Sequence, residues 1–551
     1  MSVLDQASLV QIPSGYKAGT IFSQVPTDGT GDLTFARSTT ATRVNPDGLI
    51  ETMPPNVMEN SEPTSTGAFK TGVTFQATDI YSWNGIYYGD NSVRRIAFLV
   101  AAAVVGQTYT FSAFVKMADG SIPSVGDLAT DDFRMWNGSA TTNGLTIEDV
   151  GGDIYRCSVV RVATSTANNV AIEKQTYNSS KTFEASGFQQ VLGSVPKTYY
   201  PTTDLLNYPR LDFTGGGCGK YLFEPQRTNT ILSNSDYSNI WSNVGANPIT
   251  DDAIQSPKDG VLAQKITVAN SYGQHYFRQI LNGHTVGEDY TFSVFAKAGE
   301  LDSLTLRLFN GNDTNVIFDL TNGIITSGTN GKIEDYGNGW YRCSSYFVAQ
   351  STYLYPYLYI LAGNAQGDGT SGMYWWNAQL EEGSYATSAI ETESSSVTRT
   401  ADTSSTSGLS SVIGQTEGTI MVDIDFPYWK SLFGVTFFDI GDSSDYIIAF
   451  SNPDKLLLRV AVGGSLQVSY AGSSGQLVSG SRYKIAIAYK ENDFAIYLNG
   501  VSIHTDTSGT VPAMSVITQS WAGNYLGGIY NEIYLSKTRL TNTELIALTT
   551  L

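Results

Sequence analysis

The sequence predicts an all-β chain: tandem jelly-roll β-sandwiches followed by a further strand-rich sandwich. Three observations carry that expectation. They are a composition poor in charge, an internal repeat, and a period-two alternation inside each copy of the repeat. Only 15% of the 551 residues are charged, while Gly (54), Tyr (33) and Phe (24) are abundant. That balance suits strands joined by tight turns better than helices with charged faces. The length exceeds what one hydrophobic core serves, which implies roughly three or four domains, and 41% hydrophobic residues suffice to build them.

The repeat fixes the organisation. GQTYTFSAFVK from Gly106 recurs as GEDYTFSVFAK from Gly287, with seven of eleven positions identical and an offset of 181. DIYRCS from Asp153 returns as GWYRCS from Gly339, and FQQVL from Phe188 is matched with WNAQL from Trp376. Within the first copy Tyr109, Phe111, Ala113 and Val115 alternate with Thr110, Ser112, Phe114 and Lys116, which places one set on each face of a sheet. Units of this size with many short strands point to two-sheet jelly rolls. The expected division is 1–51 as an N-terminal attachment and connecting segment, 52–206 as the first jelly roll, and 207–229 as a second connecting segment. The second jelly roll then spans 230–393, a Ser/Thr-rich linker 394–411, and the last sandwich 412–551. In that last part KIAIAYKENDFAIYLNG reads as a hairpin, and LTNTELIALTTL as a short helix capped by Thr541 or Thr543.

Two connecting strings are peculiar: FARSTTATRVNPDGLIE (Phe35 to Glu51) and YPRLDFTGGGCGKYLFEPQRTN (Tyr208 to Asn229). Together with GDGTSGMYWWNAQLEEGSYATSAI from Gly367, they resemble strings of phage tail and other virion structural proteins. The resemblance implies carbohydrate-binding-module jelly rolls and a C-terminal concanavalin A-like, laminin-G-like lectin sandwich. In such proteins DGLIE leads almost directly into PRLDF. Here Thr52 to Leu206 intervene, so the first jelly roll reads as an insertion that should leave the two strings side by side. The ~30 residues at the N-terminus lie outside the repeat, where attachment to the particle or to sister chains would fall.

Charge and motifs exclude several function classes. A formal charge of −19 repels phosphate backbones, so nucleic acid is not an expected partner. There is no run of 18 apolar residues and no charged-then-apolar leader, so no membrane insertion is expected and synthesis in the host cytoplasm is. Three cysteines, two at matching repeat positions, argue for reduced thiols. HExxH, CxxC and GxSxG are absent, and TGGGCGKY lacks the first Gly and the final Ser or Thr of a phosphate loop. Glu381 and Glu382 are adjacent on a strand, point to opposite faces, and read as a solvated strand end. No catalytic residues are expected and the chain is read as a non-enzyme. Asn310, Asn312 and Asp313, or Asp439, Asp442 and Asp445, supply hard oxygens of the kind that structural Ca²⁺ uses. Neither set has a full ligand spacing, so no cofactor is assigned.

Aromatic surfaces are the better lead, because sugars stack flat C–H faces on rings while their hydroxyls seek polar side chains. Tyr353, Tyr355, Tyr357 and Tyr359 recur at every second position, either as a platform or as ordinary core, and Pro356 favours an edge or bulge. Trp376, matched with Phe188, is expected to point inward and Trp375 outward. Trp83, Tyr87, Tyr88 and Trp136 in the first copy are candidate glycan contacts, as are Trp241, Tyr272 and Tyr276 in the second. Tyr355, Tyr357 and Trp375 join them, with Trp521, Asn524 and Tyr525 in the last sandwich. The resulting expectation is a virion fibre or receptor-binding protein, a homotrimer by analogy, that contacts other virion proteins and adheres to bacterial surface polysaccharide without catalysis. The alternatives are a head or tail decoration protein that binds no glycan, and a polysaccharide depolymerase.

Overall fold

A computed structural model describes residues 3–58, 61, 69–76, 84–100, 105–138, 140–141, 144–165, 168–202, 205–310, 313–426, 435–518 and 528–551. Among them the architecture is essentially all-β, organised into several sandwich-like modules, and the one α-helix, Asn542–Thr549, carries a Thr541/Glu544 capping box. Two compact units emerge. One comprises Met1–Ile50, Asn207–Pro257 and Ala263–Leu551; the other comprises Glu51–Leu206 with Lys258–Leu262.

The second unit holds a first sandwich-like module, a five-stranded and a six-stranded antiparallel sheet. Phe98, Phe111, Cys157 and Phe188 close its core. In the first unit, residues between Asn229 and Glu382 form a second sandwich-like module from two six-stranded sheets. Its strand Asp289–Ala298 turns Tyr290, Phe292, Val294 and Ala296 into the inter-sheet core, the alternation read from the sequence.

The two copies agree down to individual hydrogen bonds. Asn56 Nδ2 donates to Phe188 O (3.4 Å) and Tyr200 O (2.9 Å), and its Oδ1 accepts from Met58 N and Gln190 N (3.2 Å each). Asn229 repeats this with Ala378 O (3.2 Å), Ile390 O (2.9 Å), Ile231 N (3.1 Å) and Leu380 N (3.0 Å). Each asparagine is wholly buried and clamps the entering chain to the last long strand. The clamps correct the sequence alignment, since the counterpart of Phe188 is Ala378 and not Trp376. A bulge beside Ser112 and Ser293 makes room for Gly187 (φ 57°) and Asn377 (φ 50°), residue types that tolerate this backbone. Trp375 therefore enters the inter-sheet core against Tyr237 (5.6 Å) and Phe277 (5.9 Å). Trp376 lies on the opposite face against Phe295 (5.2 Å), the reverse of the expected orientation.

The third sandwich is not contiguous in sequence. Its eight-stranded sheet joins Glu417–Asp425, Arg482–Lys490 and Gly528–Ser536 to Arg210–Asp212, Lys220–Phe223 and Leu9–Gln11. The opposing nine-stranded sheet takes in Leu33–Ala36 and Thr403–Thr406, so Leu9, Ile21, Leu33 and Phe35 are core residues and not a free attachment arm. The hairpin read from KIAIAYKENDFAIYLNG is present, turning at Asn492 (φ 57°).

The connecting strings meet in a buried charge network. Arg37 pairs with Asp402 (2.7 Å), Arg210 with Glu224 (2.7 Å) and with Asp402, and Arg399 with Glu224. Arg37 also donates to Tyr208 O (3.0 Å), Arg210 to Thr42 O (2.9 Å), and Val44 N to Asp212 (2.8 Å), so the two strings lie side by side. Burial alone would raise Glu224, but Arg399 and Arg210 outweigh it and hold the carboxyl well below the usual range. Removing one partner strands the others without water, so Asp402→Ala should cost about 3–5 kcal/mol. Urea denaturation of the variant and the parent chain measures this, and a loss under 1 kcal/mol would assign the network no structural weight.

Candidate functional site

The aromatic candidates separate by burial. Tyr87 is fully buried, stacked on Phe183 at 4.5 Å with its hydroxyl on Ile172 O. Trp241 is buried beside Tyr237 and donates to Ser233 O (3.1 Å). With Trp375, these two are core residues and not ligand contacts, because the sandwich interior needs their bulk. Tyr88 is exposed beneath Arg94, whose guanidinium stands 5.0 Å from the ring. Trp136 is half-buried under Arg134, a cation already paired with Asp127 (3.1 Å) and Glu173 (2.9 Å). Tyr272 is exposed opposite Gln366. Trp83, Trp521, Asn524 and Tyr525 lie outside the described residues.

What the structure does bring together is the tyrosine strand and its neighbours in the second sandwich-like module. Strand Tyr355–Gln366 runs between Tyr272–Arg278 and Ser303–Phe309. Register sets Tyr276 beside Tyr359, Arg278 beside Tyr357, Thr305 beside Tyr359, and Arg307 beside Tyr357. Leu306, Leu308, Phe277, Leu358 and Ile360 fill the inter-sheet core. By alternation the tyrosines, Thr305, Arg278 and Arg307 occupy the other face, where Tyr276, Tyr357 and Tyr359 form a separate cluster with Tyr355 against it.

The face is not an open platform. Tyr276, Tyr357 and Tyr359 are only 6–9% exposed, their centroids 5.0–5.8 Å apart. Two guanidiniums fasten them: Arg278 Nη1 donates to Tyr357 Oη and Arg307 Nη1 to Tyr359 Oη, both at 2.9 Å. Both cations also sit against the Tyr357 ring, at 5.6 and 5.0 Å. The accessible part is a rim of Tyr353 (51% exposed), Phe309 (39%) and half-buried Tyr355, with Phe309 and Tyr355 edge-to-face at 5.7 Å. Thr305 Oγ1 and Arg278 Nε are buried without a hydrogen-bond partner. Sequence reasoning missed Arg278, Arg307, Thr305 and Phe309. For three of them the signal was present in SLTLRLF, where Leu304, Leu306 and Leu308 alternate with Thr305, Arg307 and Phe309.

A second concavity of the same module is a cleft of about 310 Å³ lined by Arg227, Asn282, His284, Tyr290 and Glu382 among others. Tyr290 Oη donates to Glu382 at 3.4 Å and packs edge-on to His284 at 5.0 Å. Burial pushes the His284 imidazole below its usual pKa. Glu381 and Glu382 do point to opposite faces, but Glu381 is not a solvated strand end. It is fully buried, accepting from Thr387 N (2.8 Å), Thr387 Oγ1 (2.6 Å) and Gln379 Nε2 (2.7 Å).

Asp439, Asp442 and Asp445 are not gathered into a metal-holding group. Among the described residues no group of three or more His, Cys, Asp or Glu side chains is placed to hold a metal. Asp442 Oδ1 is taken by Ser444 N, Asp445 N and Ser444 Oγ, and Asn312 lies outside the described residues. Cys157 and Cys343 are buried thiols, whereas Cys218 is exposed. Among the described residues no helix is long and apolar enough to cross a membrane.

No family model matches this chain. No curated protein matches it either. Solved structures give weak likenesses. Chicken galectin 2 is 14% identical over 24% of this chain and 97% of its own, at a TM-score of 0.18. The tandem CBM22 domain of Paenibacillus barcinonensis Xyn10C is 12% identical over 63% and 100%, at 0.19. Trypanosoma rangeli sialidase is 10% identical over 93% and 98%, at 0.22. These scores carry nothing about ligand or chemistry.

Asp439, on the strand Thr436–Gly441 of the third sandwich, is buried, and that lifts its carboxyl to about 6. A folded pKa above the unfolded one favours the neutral form. Its contribution is therefore complete below pH ~4 and is lost as pH rises through about 6, up to about 3 kcal/mol in all. Thermal unfolding from pH 4 to 8 should show this loss, and Asp439→Asn should flatten the profile and raise Tm at pH 8.

Proposed function

We propose that this chain is an adhesion protein of a phage particle that holds bacterial surface saccharide without cleaving it. The supporting observation is the outer face of the second jelly roll, where aromatic rim residues border fixed tyrosine hydroxyls and two guanidiniums. Rings stack on C–H faces, and pre-positioned donors select hydroxyls at small entropic cost. Shallow sites of this kind bind weakly one at a time, and a homotrimer would multiply them through effective concentration. The particle setting, and contacts with other virion proteins, rest on the resemblance of the connecting strings to phage virion proteins.

A second reading, saccharide cleavage, is favoured by one observation: Glu382 stands in a cleft with Tyr290 and His284. Two-carboxylate hydrolysis needs a second acid about 5–9.5 Å away on the same side of the bond. The neighbouring carboxylate, Glu381, is instead sealed on the opposite face of the strand. Adhesion is the reading that the geometry favours.

The double substitution Phe309→Ala with Tyr355→Ala should weaken retention on host polysaccharide about five- to tenfold, measured by affinity electrophoresis, with Tm nearly unchanged. Trp375→Ala should instead cost about 3–5 kcal/mol of stability. No retention of any host polysaccharide by the parent chain would favour a decoration role, and release of reducing ends would favour cleavage.

A further inference from the structure

The saccharide reading leaves open which class of sugar the tyrosine face selects, and the charges there supply an answer. We propose that this face recognises a carboxylate-bearing saccharide, a sugar acid, with Arg278 as the anion contact; the inference rests on the adhesion reading.

Among the described residues Arg278 has no carboxylate partner: its side-chain hydrogen bond goes to a neutral phenol, Tyr357 Oη at 2.9 Å, and its Nε has no partner among them. Acidic residues outnumber basic ones, 51 to 32, and Arg134, Arg482 and Arg210 each have a carboxylate partner, in Glu173, Asp423 and Glu224. A second guanidinium, Arg307, stands against the same Tyr357 ring.

The surroundings suit a sugar acid better than a simple ion. A guanidinium fork matches a planar carboxylate with two parallel hydrogen bonds. Thr305 Oγ1, buried on the same face and unpartnered, offers one more hydrogen bond. The exposed rings of Phe309 and Tyr353, with half-buried Tyr355, give the pyranose a surface to lie on. Charge thus positions the carboxylate and the rim holds the ring that bears it.

The test compares the full chain on three polymers, polygalacturonate, dextran and dextran sulfate, at low and at 0.5 M salt, a concentration that shortens screening well below ~10 Å. Polygalacturonate retention should exceed dextran retention at low salt and fall as salt rises. Arg278→Gln should lose about tenfold on polygalacturonate, with dextran changed less than twofold. Arg278→Lys, which keeps charge but not the fork, should recover only part of the loss. Circular dichroism melting confirms that each variant is folded. Equal, salt-insensitive retention of dextran and polygalacturonate overturns this inference and leaves adhesion standing. Dextran sulfate held as well as polygalacturonate overturns the carboxylate assignment, since charge alone would explain it. If no polymer is retained, and no host polysaccharide either, the adhesion reading fails as well.

Discussion

The architecture depends on the burial of three arginines with two carboxylates. Arg37, Arg210, Arg399, Glu224 and Asp402 come from four stretches of chain, and none can be hydrated in the folded state. An apolar cluster would accept many alternative packings at similar energy. Ion pairs with fixed donor directions accept few, so buried charge of this kind contributes register more than stability. Here it fixes where the strand bearing Arg210 and Leu211 begins and where the chain leaves for the last sandwich. The two connecting strings are therefore scaffold, with Arg37, Arg210 and Glu224 turned inward to one another's partners.

Much of the fold was legible in local pattern. Alternation in TYTFSAFVK and YTFSVFAK located the long strands, and the turn residues located the hairpin at Asn492. The repeat was legible as a repeat but not in its full extent. Its most faithful positions, Asn56 and Asn229, sit in unlike strings, because what is shared is a set of backbone partners and not a run of identical residues. The mismatch at Trp376 has the same origin. A bulge shifts register by a residue, reverses which side chains face the core, and leaves no mark in a one-dimensional match. The strands lent to the third sandwich by residues 9–36 were hidden because the pairing spans nearly the whole chain.

The candidate site was half visible. Four tyrosines at every second position announced a single face, but whether that face met the core was undecidable from one strand. The answer came from the neighbours: Leu306 and Leu358 claim the core side, and Arg278 and Arg307 close over the rings from strands some 50 to 80 residues away. Single aromatic residues in turn-rich surroundings were poor guides. Tyr87 and Trp241 were drawn into cores because a jelly roll with short strands relies on a few large rings to fill the space between its sheets.

Joining Gln6 to Glu544 across 538 residues has a consequence for biosynthesis. A ribosome adding about 5–20 residues per second reaches the closing strand some 30–100 s after releasing Leu9 and Val10. During that interval residues 51–206 and 230–393 have all their own strands and can fold, whereas the early strands of the last sandwich must wait unpaired. Completion of that sandwich is therefore gated by synthesis of Gly528–Ser536, and a product truncated before it would leave the early strands with an apolar, unzipped edge.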